Sequence, residues 1–169
     1  MENEEIKSNA ENSDALKSSK EGNPSFEERL EKLLVFYRKS FIQHWSEEKY
    51  KWETVKCFQD NWSENEDFLE MLKKATKKSG NLLASAGSFP LQQIFDFAKE
   101  DLTTAKEMFA NLYDESISLE ERVKNFKSKS MLIIDNHNKK NRDSIWKSNY
   151  QNENSISTYL WLRYPDKYY

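Results

Sequence analysis

The stretch Ser25-Phe26-Glu27-Glu28-Arg29-Leu30-Glu31-Lys32-Leu33-Leu34-Val35-Phe36-Tyr37 decides the fold class. Its first four residues form a capping box. The Ser25 oxygen can accept the N–H three residues on, and Glu28 can reach back to the N–H of Ser25. Behind the box, Phe26, Leu30, Leu33, Tyr37, Phe41 and His44 step by four and three along the chain. That spacing places them on one face of a helix. Leu34 and Trp45 widen the face. A break near Ser46 is expected to open a second helical segment carrying Trp52, Val55, Phe58 or Gln59, and Trp62.

Working outward, the same signals repeat. Ser63-x-x-Glu66 and Ser118-x-x-Glu121 are two further capping boxes. The first predicts a helix with Phe68, Leu72 and Ala75 facing inward, closed near Gly80 after Lys73, Lys74, Lys77 and Lys78. Pro90 suits a first helical position and precedes Leu91, Ile94, Phe95 and Ala98. Asp101 can cap the next helix, with Leu102, Ala105, Phe109 and Leu112 on one side. The Ser118 box leads into Leu119, Val123, Phe126, Ile133 and Ile134. Residues 135–152 are polar and Asn-rich and read as a loop or a weak turn of helix. Ile156, Tyr159, Leu160 and Arg163 mark a last helix, which Pro165 ends. The expected architecture is all-α, with six to seven short helices around an aromatic core.

Composition agrees. Of 169 residues 14% are aromatic, while Gly and Pro number three each, which disfavours a turn-rich all-β fold. Residues 1–24 have no aromatic and no apolar period, and read as a disordered acidic tail. Residues 25–169 read as one helical module, whose aromatic end at Tyr168-Tyr169 suggests truncation. No apolar run approaches the roughly 20 residues that span a bilayer. The acidic start, Met1-Glu2-Asn3-Glu4-Glu5, is unlike a secretory signal. Together with a single cysteine, Cys57, this predicts a cytoplasmic protein with no membrane partner.

The chemistry of catalysis is sparse. Neither Gly80 nor Gly87 belongs to a GxxxxGK[ST] loop, so no nucleotide phosphate cradle is expected. Cys57 with His44 and His137 cannot build a Cys/His zinc site. No base–nucleophile pattern surrounds any of the three. The expectation is a chain with no enzymatic activity, cofactor or metal.

The net charge of −3 hides a split. Residues 121–147 carry eight bases and three acids, while residues 26–120 carry thirteen bases and eighteen acids. Lys124, Lys127, Lys139, Lys140, Arg142 and Lys147 are therefore the candidates for meeting a phosphate backbone. The competing reading is a solvated helix face. Aromatic and basic residues also interleave, and Trp52, Arg163 and Tyr164 are candidate stacking or partner contacts.

Several stretches carry a family resemblance. They are Tyr50-Lys51-Trp52-Glu53, Phe58-Gln59-Asp60-Asn61-Trp62, Asn81-Leu82-Leu83-Ala84, Leu112-Tyr113-Asp114-Glu115 with Leu119-Glu120-Glu121-Arg122, and the run from Ile156 to Tyr169. Over residues 26–169 the chain resembles the helical N-terminal region of McrB-like AAA+ proteins. These are the motor subunits of modification-dependent (type IV) bacterial restriction systems. The resemblance implies a role in anti-phage defence beside an AAA+ motor and an McrC-type nuclease subunit. It carries no motor residue over, because the Walker motifs are missing from this sequence.

Two functions follow as expectations. One is a non-catalytic targeting or assembly module of such a restriction protein, with the basic segment offered to DNA. The alternative is a scaffold or regulatory module with no DNA contact. The alternative calls for an exposed apolar or aromatic patch.

Overall fold

A computed structural model describes residues 25–63, 67–84 and 87–168. The expected tail over 1–24, Glu66 of the second capping box, and Tyr169 lie outside the described residues. Among the described residues six helices form: α1 (Phe26–Asn61), α2 (Phe68–Ala75), α3 (Pro90–Glu100), α4 (Leu102–Tyr113), α5 (Leu119–Lys140) and α6 (Glu153–Arg163). No β-strand occurs among the described residues, so the chain is all-α.

Local signals set most helix starts. Ser25 and Glu28 exchange their two bonds, the Ser25 N–H donating to Glu28 at 2.9 Å and the Glu28 N–H to Ser25 Oγ at 3.2 Å. Asp101 caps α4 and Ser118 caps α5 through the N–H groups of Thr104 and Glu121. Pro90 opens α3, and α6 ends two residues before Pro165. The α2 start departs from expectation: Asp67 is its cap, accepting from the Glu70 N–H at 3.0 Å. Its end departs too, because α2 stops at Ala75 with Thr76 as cap, short of Gly80.

Two boundaries need correction. The expected break near Ser46 does not occur, since α1 runs unbroken for 36 residues. No Gly or Pro lies within it, and the ion pairs Lys51–Glu48 and Lys49–Glu53 span the next turns at helical spacing. Residues 135–140, read as loop or a weak turn of helix, are the unbroken last turns of α5, which continues to Lys140. The helices α1 and α5 are therefore long rather than short.

The chain divides into two units, the first ending at Gln43 and the second beginning at His44. The first unit's described part is the N-terminal half of α1. In the second, α4 packs on α3, α5 and α6. Its core is aromatic, as composition suggests. Phe109 meets Trp62, Phe68, Tyr113, Phe126 and Tyr159, with ring centroids 5.3–6.0 Å apart. Phe58 stacks on Trp62 at 4.9 Å. Such offset and edge-on pairs add to the stabilisation from burial itself.

The polar segment after α5 is anchored by side chains. His137 lies flat on Trp146, with ring centroids 3.8 Å apart. Its Nδ1 faces Glu100 at 3.0 Å and its Nε2 faces the Ser144 carbonyl at 2.9 Å. Asn138 accepts from the Trp146 N–H and donates to the Trp146 carbonyl. Buried Gln93 donates to the Ser148 carbonyl and accepts from the Tyr150 N–H, both at 2.8 Å. Gln151 donates to the Pro90 carbonyl and to Gln93, and accepts from the Tyr159 hydroxyl. These bonds satisfy backbone groups that a loop over a core would otherwise bury unpaired.

The Glu100 contact carries a pH prediction. The hydrogen bond from His137, with help from Lys140, holds the Glu100 carboxyl below its usual 4.5. A carboxyl depressed on folding stabilises the fold above its unfolded pKa, and that contribution is lost as pH falls through the folded value. Glu100→Gln should therefore flatten the acid limb of stability below about pH 5. Urea midpoints measured from about pH 3 to pH 7 check this, with parallel acid limbs for variant and parent as the contrary result.

Candidate functional site

The largest departure from a closed helical core is the N-terminal half of α1. The residues that periodicity places on one face do share it, but they remain open to solvent. Phe26 is 74% exposed, Leu33 64%, Tyr37 60%, and Leu30, Leu34 and Phe41 are each over 40%. At about 100° per residue, these six fall within about 100° of arc on one side of the helix. Phe36 and Ile42 are exposed outside that stripe. Single exposed apolar residues need no explanation, whereas a contiguous exposed stripe of this size calls for one. Charged residues border it: Glu27, Glu31 and Arg38 lie along one flank.

The proposed contact residues separate into two places. Arg163 and Tyr164 come together. The Arg163 guanidinium lies 5.9 Å from the Tyr113 ring centre and 5.5 Å from that of Tyr164. Tyr164 in turn donates to the Tyr113 carbonyl at 3.0 Å, and Tyr113 donates to the Tyr159 carbonyl. Burial pushes the Tyr113 hydroxyl pKa well up, so it stays a neutral donor. These residues border a cavity of about 510 Å³ that Trp62, Phe68 and Phe109 also line. Arg163 Nε is buried without a hydrogen-bond partner. Trp52 is not part of this cavity; it is 45% exposed and sits edge-on to Trp161 at 6.1 Å.

The basic candidates are spread along α5 and the segment behind it. Lys124 and Lys139 are exposed and 15 residues apart, about 22 Å along the axis. Lys127 is matched by Glu153, whose carboxyl pKa it lowers. Lys140 pairs with Glu100 at 3.4 Å. Arg142 and Lys147 are exposed beyond the helix, and neither they, Lys124 nor Lys139 makes an ion pair among the described residues. The same segment holds Lys129, paired with Glu107, and Arg122, which is buried. Arg122 donates to the Leu112 carbonyl at 3.0 Å and to the Tyr168 hydroxyl at 2.6 Å. It therefore fastens the segment after α6 to α4, a role its place in a basic run conceals. Of the eight bases, four remain available for an external anion.

The remaining chemistry groups sit apart. Cys57 lies with its Sγ 3.5 Å from the Lys74 carbonyl, and His44 is exposed beside Glu47. Among the described residues, no three His, Cys, Asp or Glu side chains are grouped to hold a metal ion, and no helix is long and apolar enough to cross a membrane. Compared with known proteins, the chain matches no family model, no curated protein and no solved structure.

Proposed function

We propose that this chain is a non-catalytic assembly module that joins protein to protein through the apolar face of α1. The observation that carries the reading is the exposed stripe of Phe26, Leu30, Leu33, Leu34, Tyr37 and Phe41. Removing such a stripe from water favours association at about 25 cal/mol per Å² of apolar surface. The setting we propose is cytoplasmic, in an McrB-like restriction system, on the resemblance of residues 26–169 to the helical region of those proteins. An AAA+ motor or an McrC-type subunit is then the assembly it serves.

A second reading is DNA contact through Lys124, Lys139, Arg142 and Lys147. Ion pairing of Lys127, Lys129 and Lys140 with acids weakens it. With four cations left, the logarithm of duplex affinity should fall with the logarithm of salt concentration with a slope no steeper than about −4. Fluorescence anisotropy of a labelled duplex, titrated from about 25 to about 200 mM salt, reads that slope. A slope near roughly −8 would restore the DNA reading.

The assembly reading is tested by placing charge on the stripe. Leu33→Asp with Tyr37→Asp should leave helix content and the unfolding midpoint of the second unit in place. Sedimentation velocity, of the chain alone and mixed with an AAA+ motor or McrC-type subunit, should lose every complex the parent forms. Complexes that persist unchanged would overturn the reading.

A further inference from the structure

The charges beside the stripe identify what covers it. Glu31 and Arg38 are seven residues apart, so they lie within about 20° of each other on the same flank of α1. Neither can be neutralised by its own helix. The residues three and four positions from Glu31 are Glu27, Glu28, Leu34 and Val35, and those around Arg38 are Leu34, Val35, Phe41 and Ile42. Neither residue makes an ion pair elsewhere among the described residues.

A second copy of the same helix, running antiparallel, supplies the missing partners. In a two-fold pair, residue i meets j wherever j meets i. Antiparallel helices place like flanks against each other. A register centred between Leu34 and Val35 therefore sets Glu31 of each copy against Arg38 of the other, twice. The same centre is the midpoint of residues 26–43, the part of α1 that belongs to the first unit. The register thus overlaps the whole apolar run with itself over about 27 Å. It brings Leu33 of one copy beside Tyr37 of the other. From the exposures of the six stripe residues, each copy would remove on the order of 600 Å² from water, or roughly 1,200 Å² for the pair. That reaches the lower edge of stable protein interfaces.

We infer that the chain self-associates as an antiparallel dimer through residues 26–43 of α1, with reciprocal Glu31–Arg38 pairs fixing direction and register. The inference rests on the assembly reading above and names its partner.

The test is sedimentation equilibrium of the full chain with charge reversals. The parent should be a concentration-dependent dimer. Glu31→Arg alone and Arg38→Glu alone should each raise the dimer dissociation constant by roughly tenfold or more, since each sets like charges against each other at both contacts. The double variant should return to near the parent value. An equimolar mixture of the two single variants should form a heterodimer. One copy then offers only arginine at the two positions and the other only glutamate, so both contacts join opposite charges. Circular dichroism should show all variants equally helical, since both sites are exposed. A dimer indifferent to these reversals, or a mixture that does not pair, overturns the antiparallel register. A chain that stays monomeric overturns the inference, and its α1-dependent binding of a motor or nuclease subunit decides the assembly reading separately. Binding that Leu33→Asp with Tyr37→Asp abolishes leaves that reading standing, and no such binding overturns it as well.

Discussion

Phe109→Ala is expected to cost about 3–5 kcal/mol of folding stability, enough to unfold much of a marginally stable domain. Phe109 is 1% exposed, and five aromatic rings meet at it, from α2, α4, α5, α6 and the residue just past α1. Truncation removes the ring's own burial and leaves a cavity whose five aromatic walls cannot all move inward. The loss should appear in urea unfolding as a lower midpoint with an unchanged slope. Phe109→Leu keeps most of the volume and should cost clearly less. A Phe109→Ala midpoint equal to the parent's would mean that the aromatic cluster is not the core of the second unit.

The second large effect is expected at Gln93. Its amide serves the Ser148 carbonyl, the Tyr150 N–H and the Gln151 side chain at once. Gln93→Leu preserves the approximate volume and removes all three bonds. It leaves a backbone donor, a backbone acceptor and an amide short of partners, each costing about 1–3 kcal/mol where water cannot reach. A net loss of about 2–4 kcal/mol is expected, less whatever the segment recovers by opening to water. Hydrogen exchange should quicken first at residues 144–152 and leave α4 protected. Uniform quickening throughout the second unit would show instead that this segment and the core open together.

Much of the fold is legible in the sequence because its signals are local. The Ser25–Glu28 box, Asp101, Ser118 and Pro90 act within one turn, where sequence neighbours are also spatial neighbours. The break expected near Ser46 fails for a related reason. A helix continues until something stops it, and no Gly or Pro interrupts α1 between Phe26 and Asn61. The amide anchors are illegible, since Gln93 and Gln151 lie 58 residues apart and only the packed fold brings them together. Arg122 reads as one more base in a basic run. Its burial under Tyr168 follows from the path of the segment after α6, not from its neighbours in sequence.

The candidate surface is half legible. Spacing by four and three groups Phe26, Leu30, Leu33, Tyr37 and Phe41 on one face, and the structure keeps them on it. Periodicity cannot tell a face that turns toward its own core from one that stays open to solvent. That difference is tertiary, and it moves the functional emphasis from the basic segment of α5 to the apolar stripe of α1. The basic segment changes in the opposite direction, because acids on other elements meet three of its lysines.

Hydrogen exchange followed by mass spectrometry, run on the full chain across a range of concentrations and again with duplex DNA at low salt, tests the central claim most directly. Amides of residues 26–43 should gain protection as concentration rises, while those of α4 and α5 stay as they were and DNA adds little. Rapid exchange of residues 26–43 at every concentration, with protection arising instead at residues 124–147 when DNA is added, would contradict the account.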